Sequence, residues 1–227
     1  MTVNFDAEQE LVDNYDRMPR LFIPGYDASH AMAAALLIDT LPDDANILLI
    51  GAGGGAELIR FMDAAPDWQF VATDPSDAML DRARAKVAGR ADRARVTFTV
   101  SDAVVAPEGL FAAATAFLAL QFVPDDGARL ASYRAVHCRL RPGAPFLLIN
   151  GAVEPGDFET GVRRYVAHAR FLGTEDEWID QALTMIRGGG VHFLSPQRER
   201  ELLAEAGFGA VEQFYQGLWI HGLLVRA

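Results

Sequence analysis

Short apolar runs alternate with segments of helical spacing along most of the 227 residues. Five of these runs predict strands, over residues 47–50, 68–73, 96–100, 111–122 and 145–150. The fourth range contains a strand and the loop that follows it. The run at 47–50 has no polar partner, as expected of a parallel strand covered on both faces. Five βα units in a row predict a parallel sheet with right-handed crossovers.

The last part of the chain has the pattern of a hairpin. Strands at about 208–215 and 218–226 are joined through Gln216-Gly217. Ser195-Pro196 before them predicts the N-cap and first residue of a helix. Further helices are expected at 6–18, where Pro19 ends the pattern, at 28–41 as a buried helix, and at 55–64. Another helix is expected with Ser76 or Asp77 as its N-cap, and one that Asp125-Asp126 can cap and that runs to Leu140.

The length suits a single α/β domain over residues 1–227. Within it, residues 1–27 are expected to form an N-terminal helix and a cap loop. Residues 152–194 are irregular and follow the fifth predicted strand, so we expect an inserted lid over the ligand edge of the sheet. Gly188-Gly189-Gly190 is the candidate hinge of that lid.

A glycine cluster follows the first strand and opens into a helix. Gly51, Gly53, Gly54 and Gly55 allow positive φ and the close approach of a ligand where a Cβ would block it. The helix that begins near Gly55 points its free N–H groups above the strand. The pattern indicates a ligand site, although a simple strand-to-helix turn remains the alternative.

The acidic residue at the end of the second strand favours a ligand site over a simple turn. Asp74 lies 23 residues after Gly51 (74 − 51), about where a second-strand carboxylate meets ribose hydroxyls in nucleotide-binding βαβ units. Both features fall at strand C-termini, which is where open α/β sheets bind ligands.

With these residues the sequence resembles the class I S-adenosylmethionine-dependent methyltransferases. Residues 51–55 resemble the family's G-x-G-x-G loop, Asp74 its ribose-binding acid, and Ser101-Asp102-Ala103 the segment beside adenine. The resemblance implies S-adenosyl-L-methionine as cofactor. It also implies a doubly wound, Rossmann-like, seven-stranded, mainly parallel sheet with helices on both faces and an antiparallel last strand. Leu49 stands where the family often has an acid, two residues before the first glycine.

Three further segments resemble the carboxy-S-adenosylmethionine synthase-like subgroup. They are Pro24-Gly25-Tyr26, Leu120-Gln121-Phe122, and the tail residues 212–215 with 222–225. The resemblance places Tyr26 against the cofactor. Phe117 stands where the synthase has a cofactor-binding asparagine, and the arginine that holds the extra carboxylate has no aligned match, since Arg187 is offset. The full cofactor-binding set that we predict is Tyr26, Gly51, Ala52, Gly53, Asp74, Pro75, Met79, Asp102, Ala103 and Phe117.

The formal charge of −11 indicates which partners are not expected, and it does not identify a partner. It works against a phosphate footprint, so nucleic acid is not the expected substrate. The arginines and lysine between residues 82 and 95 are interrupted by acids and read as a solvated helix face. No membrane span or signal sequence is indicated, so a cytoplasmic protein is expected. The single cysteine, Cys138, is expected to be a small buried or half-buried residue.

Methyl transfer from a sulfonium is an in-line displacement that needs positioning more than a catalytic triad. If a general base takes part, His168 and His192 of the predicted lid are the candidates. No His, Cys and carboxylate spacing indicates a metal, so the predicted metal set is none.

The sequence therefore predicts an S-adenosylmethionine-dependent methyltransferase acting on a small-molecule substrate, with a homodimer left open. Two alternatives stand beside this interpretation. One is a carboxy-S-adenosylmethionine synthase-like enzyme, and the other is a cofactor-binding subunit without activity of its own.

Overall fold

A computed structural model describes residues 16–227, which form one seven-stranded sheet with helices around it. The strands are β1 Asn46–Ile50, β2 Gln69–Asp74, β3 Val96–Val100, β4 Ala113–Phe117, β5 Pro145–Gly151, β6 Glu212–Gly217 and β7 Ile220–Arg226. Their order is β3-β2-β1-β4-β5-β7-β6. Neighbouring pairs among β1 to β5 are parallel, and β7 is antiparallel to both β5 and β6. The predicted fold class is confirmed.

Eight α-helices connect and flank these strands within the described residues. They are α1 Met18–Phe22, α2 Tyr26–Thr40, α3 Ala56–Ala64, α4 Asp77–Ala88, α5 Ala128–His137, α6 Phe158–Phe171, α7 Asp176–Arg187 and α8 Pro196–Glu205. The predicted Ser76 cap is confirmed, since its side chain accepts a hydrogen bond from the N–H of Met79. The predicted Ser195 cap of α8 is confirmed in the same way, with Arg198 as donor.

The sheet has an apolar layer on each face. Alternation along β1 sends Ile47 and Leu49 to one layer and Leu48 and Ile50 to the other, and all four are buried. One layer includes side chains from α2, α3, α6 and α7, and the other includes side chains from α5 and α8. A parallel strand covered on both faces needs no polar positions, which explains the uninterrupted run at 47–50.

Strand order reverses direction beside β1. The chain leaves β1 for β2 and β3 and then returns to β4, on the other side of β1. In open α/β sheets the crevice at this reversal, beyond the carboxyl ends of the strands, is where ligands bind. The glycine cluster and the end of β4 lie at that crevice.

Two element boundaries differ from the predicted ones. The hairpin turns at Leu218-Trp219 rather than Gln216-Gly217, and Leu218 takes a φ of +56°. Asp126 lies before α5, as expected of a residue at the cap, and accepts from the N–H of Ala128, the first residue of that helix. The helix ends at His137 rather than Leu140. In both places local backbone conformation, which an apolar pattern does not encode, decides the boundary.

The first helices also differ from expectation. The predicted helix over 6–18 lies almost wholly outside the described residues. Pro19 occupies the first turn of α1 rather than ending a helix, a position where its missing N–H costs nothing. Helix α2 is buried on one face only, because Met32 and Ile38 are 38% and 50% exposed.

The predicted cap loop is covered by the hairpin. The Tyr215 hydroxyl donates a hydrogen bond to the Pro24 carbonyl, and a Cβ added to Gly25 would lie 3.6 Å from the Tyr215 ring. Two segments that carry the subgroup resemblance therefore meet in space. The tail holds in place the turn that starts α2 at Tyr26.

Two surface expectations are wrong. Cys138 is exposed, because it follows the last residue of α5 on the solvent side. The basic segment is not simply a solvated face, since Arg95 donates to the carbonyls of Met62, Ala65 and Trp68. Its guanidinium joins the end of α3 to the start of β3.

Candidate cofactor and acceptor sites

The glycine loop after β1 has a backbone that few other residues could adopt. Gly51, Gly53 and Gly55 have φ values of +65°, +51° and +78°. A Cβ on Gly51 would lie 2.3 Å from the Ala119 Cβ, and one on Gly55 would lie 3.0 Å from the Ala83 Cβ. The loop thus packs directly against the segment after β4 and against α4. Ala52 is held in register by its N–H, which donates to the Thr73 carbonyl at 2.8 Å.

Asp74, the last residue of β2, is bonded to this loop. Its Oδ2 accepts from the Gly53 N–H at 2.9 Å and its Oδ1 from the Ser76 N–H at 2.9 Å. The side chain is buried, and the adjoining Pro75 is exposed. A carboxylate offers about four acceptor positions, and these two N–H groups are two of the donors to Asp74. Two of the predicted cofactor residues, Gly53 and Asp74, are therefore in direct contact.

The end of β3 adds a polar segment at the same edge. The Ser101 N–H donates to the Asp74 carbonyl at 3.1 Å, and within residues 16–227 the buried Ser101 hydroxyl has no partner. Asp102 is exposed and accepts from the N–H groups of Val104 and Val105. Ala103 is buried. Asp102 and Ala103 thus follow the strand beside Asp74, as predicted from the sequence.

Tyr26, His30 and Phe117 form an aromatic cluster between α2 and the end of β4. The rings of Tyr26 and His30 are 4.3 Å apart, and His30 meets Phe117, the last residue of β4, edge to face at 5.1 Å. Burial lowers the pKa of His30 to about 4, although its contact with the Tyr26 carbonyl acts in the other direction. Burial also raises the pKa of Tyr26. Both side chains are therefore uncharged at neutral pH.

Met79 is the residue of the predicted cofactor set that lies on α4. It lies in the first turn of α4, is 1% exposed, and its N–H is held by the Ser76 hydroxyl at 3.1 Å. The predicted cofactor residues thus lie along the carboxyl edge of four adjacent strands, together with the starts of α2 and α4.

Sequence reasoning missed a buried acid at this edge. Glu57, in the first turn of α3, is 4% exposed, and its Oε1 accepts from the Thr115 hydroxyl at 2.9 Å. Burial raises the pKa of Glu57 to about 8; the Thr115 bond lowers it, and the charge of Asp74 raises it further. A signal was available, because Glu57 shares the apolar face of α3 with Phe61.

Leu118 is a second residue that the sequence did not single out. It has a φ of +57° directly after β4, and its N–H donates to the Ile149 carbonyl at 2.6 Å. Non-glycine residues in this conformation cluster where a backbone must be aimed at a site. Here the backbone turns between Phe117 and the short 3-10 helix Leu120–Phe122.

An open groove lies beyond the ends of β4 and β5. Its volume is about 550 Å³, and it is lined by Asp125, Val153, Pro155, Phe158, Ile186, Val191, His192, Phe193 and Leu194. The His192 N–H donates to the Gln121 carbonyl at 2.8 Å, and Gln121 Oε1 accepts from the Gly151 N–H at 2.9 Å. His192 is therefore anchored to the segments that follow β4 and end β5.

The segment predicted as a lid forms the wall of this groove. Its two ends meet where Ala152 bridges Leu194 and the Val153 N–H donates to the Leu194 carbonyl at 2.8 Å. His168 lies on α6, partly buried, and among the described residues its buried Nε2 has no hydrogen-bond partner. Helix α6 packs on α1, with the Tyr165 and Phe22 rings stacked at 5.1 Å.

The residues present fit S-adenosylmethionine. A Cβ on Gly51 would clash with Ala119, Asp74 is an acceptor of the kind to which ribose hydroxyls donate, and the buried acids Glu57 and Asp74 suit a ligand with positive groups. Within residues 16–227 no group of three His, Cys or acidic residues could hold a metal ion. No described helix is long and apolar enough to cross a membrane.

Comparison with known proteins gives the same class. Residues 48–146 match the sequence profile of a family described as "Methyltransferase domain". A carboxy-S-adenosyl-L-methionine synthase of Campylobacter curvus (strain 525.92) is 26% identical over 144 residues, which are 63% of this chain and 60% of that protein. The matched part thus spans less than two thirds of that relative.

Solved structures share the fold. A candidate O-methyltransferase of Nostoc punctiforme PCC 73102 is similar over 95% of this chain and 59% of its own, with a TM-score of 0.69 and 12% identity. Human N-acetylserotonin methyltransferase in complex with S-adenosylmethionine is similar over 96% of this chain and 54% of its own, with a TM-score of 0.61 and 16% identity.

The sheet order, the loop bonded to the β2 acid and the matched residues define a Rossmann-like methyltransferase domain. Residues 48–146 thus match a methyltransferase domain, the sheet has the Rossmann-like order of class I S-adenosylmethionine-dependent methyltransferases, and the chain is distantly related to carboxy-S-adenosylmethionine synthase. The cofactor of this class is S-adenosylmethionine.

Proposed function

We propose that this protein transfers a methyl group from S-adenosylmethionine to a small-molecule acceptor bound in the groove beside β5. The observation that carries the proposal is the bond between the Gly53 N–H and Asp74, which assembles a nucleotide edge where the strand order reverses. Val153, which follows β5, and His192, which is bonded to the segment after β4, line the groove, and we place the acceptor there.

The cofactor supplies an electrophilic methyl group on a sulfonium. We assign its ribose to Asp74, and its adenosine and methionine parts to the remaining predicted residues: Tyr26, Gly51, Ala52, Gly53, Pro75, Met79, Asp102, Ala103 and Phe117. The chain's contribution is positioning and exclusion of water, because a displacement is fast when nucleophile and methyl carbon are held in line.

We assign proton removal from the acceptor first to His192. It lines the groove, and its backbone is fixed by Gln121 and by Arg129, which donates to the His192 carbonyl at 3.0 Å. His168 stays a second prediction. The groove wall is otherwise mostly apolar, which favours an acceptor with a substantial apolar part. Residues 152–194 would then act as the lid.

The resemblance to the Campylobacter synthase supports a second candidate, formation of carboxy-S-adenosylmethionine. The extra carboxylate would need a cation. Arg170 pairs with Asp176 and Arg187 with Glu159, and all four side chains are more than half exposed. Arg163 and Arg164 are also exposed. The arginines of the segment therefore favour the methyltransferase.

The test uses an ultrafiltrate of cell metabolites as the acceptor pool, so the acceptor need not be known. The protein is incubated with S-adenosylmethionine, with and without the pool, and the products are weighed. S-adenosylhomocysteine that forms only with the pool supports methyl transfer. A product heavier than the cofactor by one CO2 supports the synthase. Cofactor binding without either product supports a non-catalytic subunit.

The same assay assigns the base. His192→Ala should lower turnover by roughly 10²- to 10⁴-fold, the range for loss of a general base, with unchanged cofactor affinity. His168→Ala is the matched variant. If turnover falls only with His168→Ala, the general base is His168 of α6. If turnover falls with neither variant, neither histidine is the base, and the protein accelerates the reaction by positioning alone.

A further inference from the structure

Glu57 is a buried carboxyl in the first turn of α3. Within residues 16–227 no ion pair involves its side chain, and residues 1–15 contain no lysine, arginine or histidine. Its hydrogen-bond partner, the Thr115 hydroxyl, supplies one neutral hydrogen bond. Removing a carboxylate from water at such a position is costly unless a positive group joins it.

The position of Glu57 relates it to the cofactor edge. It is the second residue of α3, directly after the glycine loop. Thr115 pairs in register with Leu49 across β1 and β4, so the carboxyl lies next to the place where the family often has its acid. The charge of Glu57 also acts on Tyr26 and that of Asp74 acts on Glu57, which places the carboxyl among the predicted cofactor residues.

S-adenosylmethionine carries a positively charged ammonium group at the end of its methionine chain. An ammonium can donate three hydrogen bonds, whereas the sulfonium has no proton to donate. A buried carboxylate with spare acceptor capacity is therefore better matched to the ammonium.

We propose that Glu57 binds the ammonium group of the cofactor's methionine chain, in place of the acid that is absent at Leu49. The inference rests on the proposed use of the cofactor. It assigns a residue of α3, rather than of β1, to hold the amino-acid end of the ligand. Since Glu57 also touches Thr115 of β4, cofactor binding would tie the loop to the strand that leads toward the groove.

The test compares two proteins, with and without the Glu57 carboxylate, and two ligands, with and without the amino group, as in a double-mutant cycle. S-adenosylhomocysteine and its deaminated analogue, in which hydrogen replaces the amino group, are titrated by calorimetry against the parent and Glu57→Gln. The parent should prefer S-adenosylhomocysteine by at least about tenfold, the loss expected for one charge-assisted hydrogen bond. Glu57→Gln should bind both ligands alike.

Two results would overturn the assignment. One is an undiminished preference for the amino group in Glu57→Gln, and the other is equal weakening of both ligands, which would mean that Glu57 only supports the loop. If the parent binds neither ligand, the proposed function fails instead. 5′-Methylthioadenosine, which lacks the whole chain, should bind parent and variant equally and shows that the variant is folded.

A measurement on the parent covers the case in which Glu57→Gln does not fold. The free carboxyl, whose pKa burial raises to about 8, is mostly protonated at pH 7. Binding an ammonium should expel about one proton, read from binding enthalpies in buffers of different ionisation enthalpy. Asp74 and Tyr26 are the other titratable groups facing this carboxyl. The deaminated analogue should release none, and equal release by both ligands would refute the assignment.

Discussion

The backbone N–H of Gly53 lies 2.9 Å from Asp74 Oδ2 and donates a hydrogen bond to it. This contact joins the loop after β1 to the last residue of β2, the two features that the sequence places 21 residues apart. It fixes the distance between the glycine loop and the acid that we assign to the ribose.

Asp74→Ala should weaken binding of S-adenosylhomocysteine by roughly 1.5–3 kcal/mol, because a charge-assisted bond to ribose is lost. The parent should gain thermal stability from the ligand by mass action, and the variant should gain less at the same ligand concentration. Calorimetric titration and melting curves measure both effects.

Asp74→Ala also leaves the N–H groups of Gly53 and Ser76 without their acceptor. Asp74→Asn is the control for that effect, since it keeps a carbonyl oxygen and the size of the side chain. Asp81→Ala, on the exposed side of α4, should change nothing. Equal ligand affinity in the parent and Asp74→Ala would remove the ribose assignment.

Much of this edge follows from sequence because it depends on short-range signals. A glycine loop after an apolar run, an acid at the end of the next strand and the Ser76 cap are each local patterns, and all lie where they were predicted. The bond between Gly53 and Asp74 needs the strand register, which a single sequence does not contain.

The parts that sequence did not yield depend on tertiary contacts. The place of Glu57 on the apolar face of α3 is a local signal, but only the pairing of β1 with β4 brings the Thr115 hydroxyl to its carboxyl. The groove needs the ends of residues 152–194 to meet at Ala152 and Leu194. The positive φ of Leu118 follows from its place after β4. Leucine has no preference for this conformation, so the sequence does not predict it.

Arg129→Met should destabilise the fold by about 3–5 kcal/mol, because it strands the buried carboxyl of Glu199. Arg129 and Glu199 are 0% and 1% exposed, with Nη1 and Oε2 3.5 Å apart, and the Tyr133 hydroxyl donates to the same carboxyl. Burial raises the pKa of Glu199, and the charge of Arg129 opposes that rise. Urea unfolding measures the loss.

The matched control for this pair is Arg170→Met. Its partner is Asp176, and the two side chains are 63% and 75% exposed, so the loss should stay below about 1 kcal/mol. Arg129→Met combined with Glu199→Gln should cost less than the sum of the two single variants, because the stranded charge is absent. Additive costs would show that the buried pair is not coupled.

The protein should not bind RNA or DNA appreciably at physiological salt. The formal charge of −11 opposes a phosphate footprint, and the basic segment 82–95 is committed to ion pairs and carbonyls, as Arg95 shows. Fluorescence anisotropy with labelled tRNA tests this. Micromolar affinity that falls steeply with salt would place the acceptor on a nucleic acid instead of in a small molecule.

The mass of the ligand that the protein retains tests the central claim most directly. The protein is incubated with S-adenosylmethionine and an ultrafiltrate of cell metabolites, which can supply a carboxyl donor. It is then desalted and denatured, and the released small molecules are weighed; a native spectrum of the same sample also gives the oligomeric state. We predict S-adenosylmethionine or S-adenosylhomocysteine. A ligand heavier than S-adenosylmethionine by one CO2 would make the protein a carboxy-S-adenosylmethionine synthase, and the release of no adenosyl ligand at all would contradict the cofactor assignment itself.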